Sequence, residues 1–234
     1  MEFPFATPQE LNGSNNHCAV HAVRSVYSAF MQGKGIDEAS IKKLVEQTRH
    51  GASIFGVAHA LLSLGMSCQL VLEKHPLGML QLHELGRSLA LLFDKSLDQK
   101  TLALTMDEIA QDKIRFGKQI TDVQPITTTK IVENKLLRSQ FNPKTQCLIL
   151  SVCGNALMLK RSNELKSIPS NETRVGGEHM MIVKEIRDDG TVLTSENTPF
   201  DELSWNAFES CRQYFNCDGS FIVVDLIGKS IVTC

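Results

Sequence analysis

An α+β fold, with an N-terminal helical part packed on an antiparallel β-sheet, is predicted for this 234-residue chain by three stretches of its sequence. Near the N-terminus, apolar side chains fall at Ala19, Val20, Val23, Val26, Tyr27 and Phe30, the spacing of one helix face, and Gly33 follows as a stop. Late in the chain, the strand-like Met180 to Ile186 and Thr191 to Ser195 flank Arg187-Asp188-Asp189-Gly190, a strong turn signal and hence a β-hairpin. Between them, Cys147 to Val152 is a short apolar run of the kind that forms a buried strand leading toward the hairpin.

The remaining elements follow in order. Gly13-Ser14-Asn15-Asn16 is a cluster of capping residues that puts Cys18 in the first turn of the first helix. Cys18, Ala22, Ser25 and Ala29 form a stripe of small side chains along it, which lets the helix lie close to a sheet. A second helix is expected over 36–48, led by Asp37, and a third over 53–64, ending at Gly65 before a strand at 68–72. Residues 76–124 are expected to form a helical insertion in a single domain spanning 1–234. Leu77, Leu80, Leu85, Leu89 and Leu92 recur at helical spacing there, and Thr105 to Glu108 is a capping box. This insertion is a candidate part of a substrate-binding surface. A helix is expected over 131–139 and a polar loop over 160–174.

Composition narrows the function classes. A net charge of −2 without a long basic run gives no electrostatic footprint for nucleic acid. The first residues lack the charged start and apolar core of a signal peptide, and no stretch is long and apolar enough to span a bilayer, so a cytoplasmic protein is expected. Seven cysteines, an odd number without motif spacing, fit a reducing compartment.

The candidate site joins the two ends of the chain. The unpaired N–H groups and positive dipole end of a first helical turn favour the thiolate of Cys18. A turn centred on Asp188 or Asp189 brings His179 opposite or close to Asn197, whose amide would orient the ring toward the thiol. Glu196 and Asp201 are alternatives for that role. His17, Cys18 and His21 lie close together on one helix, but a zinc site needs a third protein ligand at plausible spacing and none is evident, so no metal is expected. His17 is expected to pack against a substrate channel and His21 to lie on the helix surface.

These residues resemble the papain-like cysteine peptidases, most closely the branch containing the bacteriocin-leader (double-glycine) peptidases. Asn12-Gly13-Ser14-Asn15-Asn16-His17-Cys18-Ala19-Val20 is similar to the nucleophile block, Gly177 to Val183 to the histidine block, and Thr194 to Pro199 to the Asn/Asp block. Leu203 to Phe208 suits the short helix that follows in that branch. Two departures stand out. The position where the family carries an oxyanion-stabilising Gln is Asn12, with Gln9 as the fallback, and Ala19-Val20 replaces the usual Gly- or Trp-containing pattern.

The resemblance implies a papain-like fold and a cysteine-dependent hydrolase, with Cys18 as nucleophile, His179 as base, Asn197 orienting it and Asn12 serving the oxyanion. It implies no cofactor and a protein substrate, a host protein or ubiquitin-like conjugate if the chain is a bacterial effector translocated into a host cell. A glutamine deamidase, a transglutaminase-like acyl transferase and a catalytically inactive binding module are the alternatives.

Overall fold

The structure, a computed structural model, describes residues 3, 5, 17–46, 52–72, 142–153, 178–196, 201–212 and 220–227, together with positions 111, 114, 115, 117, 118, 130 and 131. Three helices come first. α1 (Cys18–Phe30) carries the buried Ala19, Val20, Ala22, Val23, Ser25, Val26 and Ala29. α2 (Glu38–Leu44) is capped by Asp37, whose carboxylate accepts from the Ser40 N–H at 2.8 Å. α3 (Ile54–Ser63) is capped by Ser53, whose hydroxyl oxygen accepts from the Gly56 N–H at 3.0 Å. Its C-terminus closes through Gly65 at φ +79°, a conformation glycine adopts without a Cβ penalty, with the Met66 N–H donating back to Leu61.

Among the described residues seven strands form one sheet: β1 (Cys68–Leu72), β2 (Lys130–Ile131), β3 (Gln146–Cys153), β4 (Glu178–Ile186), β5 (Thr191–Thr194), β6 (Glu202–Ser204) and β7 (Phe221–Asp225). Their order is β2-β1-β7-β3-β4-β5-β6, antiparallel throughout except for the β1–β2 pair. α4 (Trp205–Arg212) follows β6.

The central strands read as continuous apolar runs because both faces of the sheet are covered. Leu70, Leu72, Cys147, Ile149, Met180, Ile182, Ile222 and Val224 pack with α1, α2 and α3. Their alternates Val71, Leu148, Leu150, Met181, Val183, Phe221 and Val223 pack with Phe208 and Cys211 of α4. Burial of this many large side chains is the main stabilising term, at about 1.5–3 kcal/mol for each fully buried Val, Leu, Ile, Phe or Met. Among the described residues no helix is long and apolar enough to cross a membrane.

The α+β architecture is as expected, and α3, β1, β3 and the β4–β5 hairpin fall where the sequence places them to within one or two residues. Four details differ. α2 starts at Glu38 because Asp37 is its cap, and it stops at Leu44, with Glu46 at φ 52° outside it. Ile131 is not the start of a helix but a strand residue paired with Leu72, where β2 covers the outer edge of β1. Leu203 pairs with Val192 in the sheet, and Ser204 precedes α4, its hydroxyl accepting from the Ala207 N–H at 3.3 Å, so the last helix begins at Trp205. The strand β7, between β1 and β3, was not anticipated: a short apolar run has no periodicity that separates strand from helix. The insertion 76–124 lies almost wholly outside the described residues; those described between 111 and 118 are helical.

The small residues of α1 allow a close approach to β4. Ala22 is 3 % exposed and shares a cluster with Met180 and Ile182. Ala22→Leu is expected to overpack this contact and destabilise the fold by about 1–3 kcal/mol, read as a lower urea midpoint at unchanged m. An unchanged midpoint would mean that α1 does not lie tight on the sheet.

Candidate active site

Cys18 is the first residue of α1. Its N-cap is His17, which makes no side-chain capping bond. The expected cap cluster 13–16 lies outside the described residues. No acidic side chain occupies the first turn either, so the first amides of the helix are open to an anion. The Ala19 amide bonds to the sulfur, as does the Met180 amide from β4. Those two contacts mark where the helix start meets the sheet.

His179 stands opposite Val152 near the start of β4 and hydrogen-bonds to the Cys18 side chain. Its other partner is Glu196, with Nε2 3.1 Å from the carboxylate Oε1. That contact occupies Nε2 and leaves Nδ1 as the ring nitrogen for the thiol.

The hairpin register explains why Glu196 arrives there. Ile186 pairs with Val192 and Glu185 with Leu193, but Val183 pairs with Thr194, so Lys184 is an extra residue in β4. Beyond this bulge the Ser195 N–H donates to the Ile182 carbonyl at 3.1 Å, continuing the shifted register. One further step puts Glu196 level with Met181, diagonal to His179 and within reach of a long side chain. Without the bulge, Glu196 would sit on the other face of the hairpin. The Glu196 N–H also donates to Thr194 Oγ1 at 3.0 Å, and the Thr194 N–H donates to the Asp201 carbonyl at 2.9 Å, which closes the base of the loop.

Of the three side chains weighed as the partner of His179, the structure therefore brings Glu196 to it. Asp201 lies at the base of the same loop, where its carbonyl receives the Thr194 amide. Asn197, Asn12 and Gln9 lie outside the described residues.

Electrostatics distinguish this thiol from others. Burial pushes Cys18 up, but the hydrogen bond and positive charge of His179, with the Met180 and Ala19 amides, overcome it and leave Cys18 below its ordinary 9.0. Burial raises Cys68 to about 12, helped by the Asp225 charge, and burial alone raises Cys147. For His179 burial acts downward, while the hydrogen bonds and charges of Cys18 and Glu196 lift the imidazole to about 10. The His179 side chain is 32 % exposed, so one side of the pair is open to solvent.

His17 and His21 stand beside this pair. His17 Nδ1 is 3.0 Å from Glu38 Oε1, and the ring centroids of the two histidines are 6.2 Å apart. His21 is not the plain surface residue expected from the sequence, because its Nε2 is buried. The Glu38 contact from α2 carried no sequence signal. Among the described residues no group of three His, Cys, Asp or Glu side chains is placed to hold a metal ion.

No protein-family model and no curated protein matches the chain. Among solved structures it is similar to the peptidase domain of Streptococcus ComA, a bifunctional ABC transporter involved in a quorum-sensing pathway. The identity is 10 % over 96 % of this chain and 98 % of that one, with a TM-score of 0.43. No residue role is carried over from it.

The role of Glu196 is testable by titration. Thiolate absorbance near 240 nm, taken as wild type minus Cys18→Ser, is expected to rise below pH 9.0 and to shift upward in His179→Ala, which removes two of the lowering causes. Glu196→Gln keeps the shape but removes a charge that raises His179. NMR of the ring is expected to find its deprotonation moved below the wild-type value of about 10. An unmoved His179 titration would disconnect Glu196 from the ring.

Proposed function

We propose that this chain is a papain-like, cysteine-dependent hydrolase that cleaves an amide bond, peptide or isopeptide, in a protein substrate. The observation that carries this reading is the continuous hydrogen-bonded run from Cys18 through His179 to Glu196, with the thiol pulled down and the imidazole pushed up. Opposed shifts of this kind are the signature of a thiolate–imidazolium pair, which a purely structural cysteine does not need.

In this mechanism the Cys18 thiolate attacks the carbonyl carbon of the scissile amide. The carbonyl oxygen gains the charge, stabilised by the Cys18 backbone N–H and the carboxamide of Asn12. His179 gives its proton to the leaving amine as the C–N bond breaks, leaving a thioester on Cys18. The neutral ring then takes a proton from water, whose oxygen attacks the thioester, and the thiolate leaves with the imidazolium restored. Glu196 holds the ring orientation and stabilises its charged form.

The first test is alkylation of the native protein by limiting iodoacetamide, followed by intact mass and peptide mapping. A single fast label on Cys18 that persists below pH 7 and slows in His179→Ala is expected. Labelling of Cys18 no faster than Cys68 would remove the enzyme reading and leave a binding module. Once a cleaved substrate is in hand, Asn12→Ala is expected to lower kcat by about 10² to 10³ with binding largely kept. Full activity in that variant would exclude Asn12. A mass gain of about one dalton with ammonia release, in place of chain cleavage, would point to a deamidase, because the same thioester route then expels ammonia.

A further inference from the structure

The side of α1 next to Cys18 carries polar chemistry that the hydrolysis does not use. Glu38 at the start of α2 receives three groups: Lys42 Nζ at 2.7 Å and His17 Nδ1 at 3.0 Å on Oε1, and Arg24 Nη1 at 4.0 Å from Oε2. One carboxylate thus faces two fixed cations and an imidazole. Its contact with Arg24 is at the limit of an ion pair, so the guanidinium is only weakly compensated.

His21 sits among these groups. Its ring stands at 87° to that of His17, and it feels the charges of Glu38, Arg24 and His179. At about 100° per residue, position 21 projects between positions 17 and 18, and it is an i, i+3 neighbour of both Cys18 and Arg24. Its Nε2 is buried without a hydrogen-bond partner among the described residues. Such an atom costs free energy until a polar group meets it. The residue as a whole is half-exposed, and the broad χ2 of histidine lets the ring turn that nitrogen toward an arriving ligand.

A neutral imidazole offers one N–H donor and one acceptor. Burial holds the ring neutral against the pull of Glu38. An N–H donor beside a weakly compensated guanidinium selects an anionic acceptor over a neutral or cationic one. We propose that His21 Nε2 and the Arg24 guanidinium form a subsite for a substrate carboxylate, so that an acidic side chain flanking the scissile bond is preferred. This rests on the reading of Cys18 as an activated nucleophile.

The test uses two electrophiles of equal size, N-iodoacetyl-aspartate amide and N-iodoacetyl-asparagine amide. Their rates at Cys18 are measured at pH 7 and divided by their rates with glutathione thiolate. The aspartate reagent is expected to be preferred by about tenfold in wild type, as suits a hydrogen bond to a charged group. His21→Phe, with Arg24 and His179 still in place, is expected to lower the corrected ratio several-fold. Because His179 is present in both proteins, its own attraction for anions cancels in that comparison. Glu38→Gln, on a half-exposed side chain, keeps the fold and removes the competing negative charge, so its ratio is expected to rise. Fast labelling of Cys18 with no aspartate preference, or a preference that neither variant changes, overturns the subsite and leaves the nucleophile standing. Slow labelling of Cys18 by both reagents overturns the nucleophile and the subsite with it.

Discussion

Whether a thiol and an imidazole share a proton as neutral partners or as an ion pair is decided here by where two chain segments end. α1 begins at Cys18 with a first turn free of acidic side chains, and β4 brings the Met180 amide and the His179 ring to the same place. Each contact favours the charged sulfur by a modest amount. Burial opposes them, and the same burial without such partners drives Cys68 and Cys147 the other way. The rest of the fold serves this meeting. The doubly covered sheet gives β4 a rigid seat between β3 and β5, and the alanines of α1 let its axis come close enough for a side chain as short as cysteine to reach the strand backbone.

The ion pair also leaves a mark on stability, and its sign follows from proton counts. Above both histidine's ordinary 6.5 and the lowered Cys18 value, and up to cysteine's ordinary 9.0, the unfolded pair carries one proton, on sulfur, and the folded pair carries one, on the ring. Stability contributed by the pair is therefore flat across that window. Above 9.0 the unfolded pair has lost both protons while the folded ring keeps its own, so the contribution falls as pH rises through about 10. Glu196 acts on the alkaline limb only, because its charge bears on the ring.

Much of this was legible in the sequence because it depends on local rules. Helical spacing after residue 18, the Asp-Asp-Gly turn and the stripe of small residues are short-range signals, and they placed α1, the hairpin and the pairing of Cys18 with His179. Two things were not legible. The bulge at Lys184 shifts the hairpin by one residue, and no turn or propensity rule announces it, yet that single residue decides that Glu196 shares a face with His179. Glu38 reaches His17 across two helices, a contact between separate elements that no periodicity encodes. The central strand β7 was missed for a related reason: its four consecutive buried residues, on both faces, carry no alternation to read.

A carboxylate in place of a carboxamide beside His179 changes the chemistry as well as the geometry. An amide orients the ring and adds no net charge, whereas Glu196 raises the imidazole's basicity and makes the imidazolium a weaker acid. In the proposed hydrolysis that would favour thiolate formation and the later activation of water, but work against protonation of the leaving amine. Burial of the ring acts in the opposite direction. A substrate covering the open side of His179 would deepen that burial. In the proposed subsite the acidity of the imidazolium would be tied to what is bound, because His21 stands within electrostatic range of the ring.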